Sequence, residues 1–135
     1  MAMLEEFLGI RRTIALWDAR ADTELGASHG IGLSDFAALH HLASAPGGRL
    51  RRVDLARRLA LTPSGVTRLL GPLERRGIVT REQDGNDARA TYAALSASGE
   101  ELVKDATVTV AAIAEGILGS LGERDRAVFA KIAAP

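Results

Sequence analysis

The middle of the chain is punctuated so closely that only short elements fit between its stops. Ala45-Pro46-Gly47-Gly48 ends whatever precedes it. Thr62-Pro63 restarts a helix, because a threonine oxygen caps free N–H groups and the fixed φ of proline suits the first helical position. Gly77 can take the left-handed conformation that closes a helix, and Gln83-Asp84-Gly85-Asn86-Asp87 contains the Asp-Gly pair of a tight hairpin turn. Between these marks, Arg49 to Arg51 has room for a few strand residues. Val53 to Ala60 predicts a short helix with Val53, Leu55, Ala56 and Leu59 inward, and Ala60-Leu61 a tight turn. Residues 62–76 form a second helix, and Ile78–Glu82 and Thr91–Leu95 the strands of a hairpin. Pieces this short are unstable alone and must pack on one another.

Two short helices at a tight turn, followed directly by a hairpin, make a winged helix-turn-helix lobe, here about residues 34–95. The helix over 62–76 is its reading element. Val66, Leu69, Leu70 and Leu73 keep helical spacing and turn inward. Pro72 bends this helix rather than breaking it, because the apolar spacing continues across it. Thr62, Ser64, Gly65, Thr67 and Arg68 remain near the N-terminal half, facing out, and that end of such a helix reaches base edges. The hydroxyls donate and accept, Arg68 suits a guanine edge or a phosphate, and Gly65 lets backbone approach closely.

Longer amphipathic helices flank the lobe. Leu4, Phe7, Leu8, Ile10, Ile14, Trp17, Ala21 and Leu25 recur at three- and four-residue steps, which predicts a helix over 3–26. Gly26 to Leu33 then reads as a connection, and Ser34 caps a helix that buries Phe36, Leu39, Leu42 and Ala43. A further helix begins near residue 97, with Ser98 and Glu101 at capping-box spacing and Ser96 as the alternative start, and extends to about 119. A last helix occupies 123–133, with Val128, Phe129 and Ile132 apolar. The helices over 3–26 and 97–133 carry more apolar positions than the central lobe can cover, so a second copy of the chain is the expected partner. The expected fold is mainly α with a small β-hairpin wing (α+β), one domain over residues 1–135.

The net charge is zero, which taken whole argues against nucleic acid. Divided, the chain reads differently. Residues 49–89 hold ten arginines against five acidic residues, a balance of +5, while the remainder holds seven basic against twelve acidic residues, a balance of −5. A basic module in an acidic chain has the local field to meet phosphates, and the arginine fork suits both phosphate and guanine edges. The absence of cysteine excludes disulfides, thiolate metal sites and thiol redox sensing. Of the three histidines, His40 and His41 are adjacent and point apart on a helix, so no metal site is expected. No nucleophile with a nearby base, Gly-rich phosphate loop or paired carboxylates points to an enzyme or a cofactor. Glu5 and Glu6 interrupt the first apolar residues, unlike a signal peptide, and Glu115 breaks the most apolar stretch. A cytoplasmic location without a membrane partner is the expectation.

The stretch LRRVDLARRLALTPSGVTRLLGPLERRGIVTRE, followed by DARATYAALSASG, resembles the MarR family of bacterial transcription regulators. The family's pattern falls here at Leu55-Ala56, at Leu73-Glu74 with Gly77, and at Asp87 with Arg89 in the wing. The resemblance implies a homodimer, in the simplest case a repressor, whose paired reading helices and wings bind a pseudo-palindromic double-stranded DNA site. It implies that Arg89 enters the minor groove with Asp87 orienting its guanidinium, and that Ser64, Thr67 and Arg68 lie in the major groove. A narrow minor groove does draw arginine. Arg51 and Arg52, at the start of the first short helix, are expected to contact phosphates, and Arg75 and Arg76 to form a solvated face or pair with nearby acids.

MarR-like regulators often release DNA when a small, frequently aromatic anion binds between the dimer helices and the DNA-binding lobe. Trp17, Phe36 and His40 are the candidates for lining such an effector site. The alternative to a DNA-binding regulator is a winged-helix module for protein–protein contact, whose basic hairpin would meet an acidic partner.

Overall fold

Gly26 lies inside the first helix rather than after it. In the computed structural model, which describes residues 1–134, α1 spans Ala2–His29 and stops at Gly30, whose φ of 68° is the left-handed cap. An interior glycine costs about 1 kcal/mol relative to alanine, too little to end a long helix docked on its neighbours. The expected connection thus shrinks to Gly30–Gly32. The second helix, α2 (Leu33–Ser44), is capped at Gly32 and not at Ser34. The Asp35 carboxylate accepts the Gly32 N–H at 2.9 Å, and Asp22 of α1 accepts the Leu33 N–H at 2.7 Å.

After one 3-10 turn at Pro46–Gly48 come β1 (Arg49–Arg51), α3 (Arg52–Leu59), α4 (Pro63–Arg75), β2 (Val79–Gln83), β3 (Thr91–Leu95), α5 (Ala97–Leu118) and α6 (Glu123–Ala133). The three strands form one antiparallel sheet in the order β1-β3-β2, with Ala93 opposite both Leu50 and Arg81. β2 starts one residue later than expected because Ile78 closes α4. Its N–H donates to the Leu73 carbonyl at 2.9 Å, and that of Gly77 to the Glu74 carbonyl at 3.0 Å, the paired bonds of a glycine-terminated helix. Helix α4 continues through Pro72. Helix α5 uses the alternative start: Ser96 Oγ accepts the Gly99 N–H at 3.1 Å, while the Ser98 hydroxyl donates to the Gly77 carbonyl at 3.0 Å. The Ser98–Glu101 capping box therefore does not form.

The core sits under the helix-turn-helix. Leu25, Leu39, Leu42, Leu55, Val66, Leu70, Leu73 and Val79 are fully buried, each stabilising by about 1.5–3 kcal/mol. Three expected core positions differ. Val53 is 56% exposed, Leu69 is half-buried and Ala43 exposed, whereas Ala38 is buried. The apolar stripe of α1 is buried only at Ala21 and Leu25. Leu4, Phe7, Leu8, Ile10 and Ile14 are exposed, as are Val128, Phe129 and Ile132 on α6. The rings of Trp17 and Phe129 approach to 6.5 Å between these two helices. Among the described residues, no helix is long and apolar enough to cross a membrane.

Candidate nucleic-acid interface

Helix α4 starts as its sequence dictates. Thr62 Oγ1 accepts the Gly65 N–H at 3.1 Å and lies 3.3 Å from the Ser64 hydroxyl, with Pro63 at the first helical position. Thr62 thus shapes the helix start. Gly65 serves the same turn, since a Cβ there would lie 3.2 Å from Thr62 Oγ1 and 3.5 Å from Leu61 Cβ. Ser64, Thr67 and Arg68 are exposed on the following surface. Arg68 makes no ion pair among the described residues.

In the wing, two aspartates fold the tip by accepting backbone N–H groups two residues on, Asp84 from Asn86 at 2.9 Å and Asp87 from Arg89 at 3.0 Å. Asp87 thus holds the Arg89 backbone, and among the described residues no ion pair joins it to the Arg89 guanidinium. The Arg89 side chain stays exposed at the tip. Below it, Tyr92 stiffens the stalk. The Arg49 guanidinium lies 4.4 Å from the centre of its ring while pairing with Glu82 at 3.1 Å. Arg51 pairs with Asp84 at 3.2 Å and donates to the Tyr92 hydroxyl at 3.4 Å. That hydroxyl, and secondarily Asp84, holds the Arg51 guanidinium above its ordinary pKa.

Two adjoining clefts join wing to helices. One, of about 240 Å³, is lined by Arg51, Arg52, Val53, Asp87, Arg89, Ala90 and Thr91. The other, of about 180 Å³, is lined by Arg52, Val53, Pro63, Val66, Thr67 and Thr91. Through Arg52, Val53 and Thr91, common to both clefts, the wing residues Asp87 and Arg89 adjoin Pro63 and Thr67 at the start of α4, while Ser64 and Arg68 are exposed on α4 outside both clefts. Arg52 differs from expectation. Its Nη1 pairs with Glu74 at 2.8 Å, its Nη2 reaches Thr67 Oγ1 at 3.5 Å, and its side chain is only 12% exposed. It ties α3 to α4 and is not a free phosphate ligand. Arg76 also has a defined partner, donating to the Gly30 carbonyl at 2.8 Å across the end of α1. Val53 and Thr91 line both clefts without a signal in the sequence. Val53 in particular was expected inward; two residues before the buried Leu55, it stands about 200° away round α3 and faces out.

The expected effector residues do not converge. Trp17 borders a cleft of about 230 Å³ with Asp18, Ala21, Leu33, Val110, Ile113, Ala114, Ile117 and Leu118. Phe36 is 7% exposed in the core. His40 stacks on it at 5.8 Å, facing solvent and not the cleft. Among the described residues, Asp18 is the only ionisable group lining this cleft. Among the described residues no group of three or more His, Asp or Glu side chains is placed to hold a metal.

Residues 29–90 match the MarR family. Over 92 residues the chain is 34% identical to the transcriptional repressor Rv2887 of Mycobacterium tuberculosis, which covers 68% of this chain and 65% of that protein. Against the curated relatives, the matched stretch spans from 46% to 70% of their own length. Two structures solved with DNA are similar to it throughout. Sco3205, a MarR family regulator from Streptomyces coelicolor, superposes with a TM-score of 0.85 at 28% identity, over 96% of this chain and 83% of that one. MepR from S. aureus superposes at 0.84 with 25% identity, over 93% and 90%.

Proposed function

The chain belongs to the MarR family, whose members are transcription regulators and not enzymes, and from that premise we propose that it is a sequence-specific, homodimeric DNA-binding repressor. The observation that carries this reading is the continuous face formed by the start of α4 and the wing. Ser64 and Thr67 offer hydroxyls there, Arg68 is unpaired among the described residues, and Arg51 and Arg89 flank one cleft. Base edges demand the first set and phosphates or a minor groove the second.

The homodimer face is the apolar surface of α1 and α6. Leu4, Phe7, Leu8, Ile10 and Ile14 make a longer exposed apolar stripe than a solitary chain ordinarily carries. Burying it on a second copy sets two α4 helices at a fixed spacing and so calls for a pseudo-palindromic site. A small effector would release the DNA from the cleft beside Trp17. The lone carboxylate of Asp18 there favours a neutral or cationic occupant over an aromatic anion.

Selection of bound duplexes from a random library tests the reading, with the mass of the complex measured by light scattering. The expected result is one enriched inverted repeat bound by two chains. A bound population without enrichment would contradict it. Displacement of the selected duplex by neutral aromatic compounds, but not by benzoate, would be the sign of the effector cleft.

A further inference from the structure

Resting on the DNA-reading function above, we propose that Thr67 reads its base only as a hydrogen-bond acceptor, its hydroxyl locked by the Pro63 carbonyl and by Arg52. A free threonine hydroxyl both donates and accepts, and therefore tolerates either kind of base edge. Here the choice is removed. Thr67 Oγ1 lies 3.1 Å from the Pro63 carbonyl oxygen. A carbonyl can only accept, so the hydroxyl proton points there. Arg52 Nη2 stands 3.5 Å from the same oxygen. A guanidinium can only donate, so this longer contact takes one lone pair. What remains toward the exposed side is a single lone pair and a methyl group.

Arg52 is held in this position by a third residue. Glu74, the penultimate residue of α4, accepts from Arg52 Nη1 at 2.8 Å. The guanidinium is mostly buried between α3 and α4, with 12% of the side chain exposed. The fork therefore bridges Glu74 and Thr67 on one helix. Its geometry suits this role because one planar group carries N–H donors on two terminal nitrogens, one for each partner. Arg52 is a positioning residue, acting on DNA through Thr67 and not by touching a phosphate.

In the major groove, only the exocyclic amines of adenine and cytosine offer an N–H to such an acceptor; guanine and thymine present oxygen or nitrogen acceptors there. The structure thus assigns Thr67 to an adenine or cytosine in each half-site. The neighbouring Pro63, Val66 and Val53 line the cleft beside it. These three offer no side-chain donor to a guanine or thymine at that position; of the other lining groups, Arg52 is engaged by Glu74 and Thr67, and Thr91 stands on β3 across the cleft.

The test is the base-preference profile of wild type, Thr67→Val, Thr67→Ser, Arg52→Met and Glu74→Gln, each taken from duplex selection and followed by binding at several salt concentrations. The expected result is that Thr67→Val lowers the preference for adenine or cytosine by about fivefold, within the range of one neutral hydrogen bond, at one position per half-site. Thr67→Ser restores it. Arg52→Met and Glu74→Gln relax preference at that same position while leaving the salt slope unchanged. Glu74→Gln retains the packing if Arg52→Met folds poorly. A wild-type preference for guanine or thymine at the affected position would overturn the proposal, as would a profile unaltered by Thr67→Val. A salt slope reduced by about one with uniformly weaker binding in Arg52→Met would instead make Arg52 a phosphate contact. No enriched motif for the wild type would remove the DNA-reading function itself, and the proposal with it.

Discussion

The carbonyl oxygen of Ile78 occupies the space that a Cβ on Gly99 would need. The same oxygen accepts the Ser96 N–H at 3.1 Å and the Ser96 hydroxyl at 3.0 Å. The first turn of α5 is thereby seated directly on the backbone where α4 ends and the wing begins. Gly99→Ala would force these segments apart. It is expected to destabilise by about 1–3 kcal/mol, the usual cost of overpacking, measured by urea unfolding; an unchanged midpoint would show that the contact gives way freely.

Thr62→Ala removes the side-chain cap of α4. An expected loss of about 1 kcal/mol follows from the N-cap bond to Gly65, seen in the thermal midpoint. Thr62→Ser retains the oxygen and should recover most of it.

His41 contributes a pH dependence of stability. Burial first, then Arg58 and His40, hold its imidazole below the ordinary pKa of 6.5. The unfolded chain therefore binds a proton that the folded chain resists. Stability contributed by neutral His41 is present above about pH 6.5 and is lost as the pH falls from there toward the lowered folded value. His41→Gln should flatten the fall in thermal midpoint between neutral and mildly acidic pH; an identical slope would assign the loss to other groups.

Phe7→Glu and Ile14→Glu place charges on the exposed face of α1, where neither side chain touches the core under α4. Both should convert a two-chain particle to one chain in light scattering while leaving the helical circular dichroism largely intact. A wild type that is already monomeric at micromolar concentration would refute the homodimer.

The helix-turn-helix and the wing were legible because their signals are local. Thr62, Pro63 and Gly77 each dictate the backbone within a few residues, whereas the expected tight Asp-Gly turn is replaced by a longer tip over 84–90, shaped by the Asp84 and Asp87 side chains. The strand at Arg49–Arg51 and the strand at Thr91–Leu95 also lie where the sequence puts them. What was misplaced depends on distant partners. Gly26 stays helical because α1 docks through Leu25, and Ser96 outcompetes Ser98 as a cap because both hydroxyls meet the chain leaving α4. At the candidate site, the exposed residues of α4 were readable from helical period alone. The pairing of Arg52 with Glu74, twenty-two positions on, and of Arg76 with Gly30 were not, because nothing local distinguishes an arginine that will be captured from one left in solvent.

In the proposed complex α4 reads bases while the wing supplies affinity, and binding of Arg68→Ala and Arg89→Ala to the selected operator and to a scrambled duplex separates the two roles. Arg68→Ala is expected to weaken operator binding by about 1–3 kcal/mol with little change on the scrambled duplex, while Arg89→Ala weakens both and flattens the salt dependence. Equal binding of wild type and both variants to either duplex would contradict it.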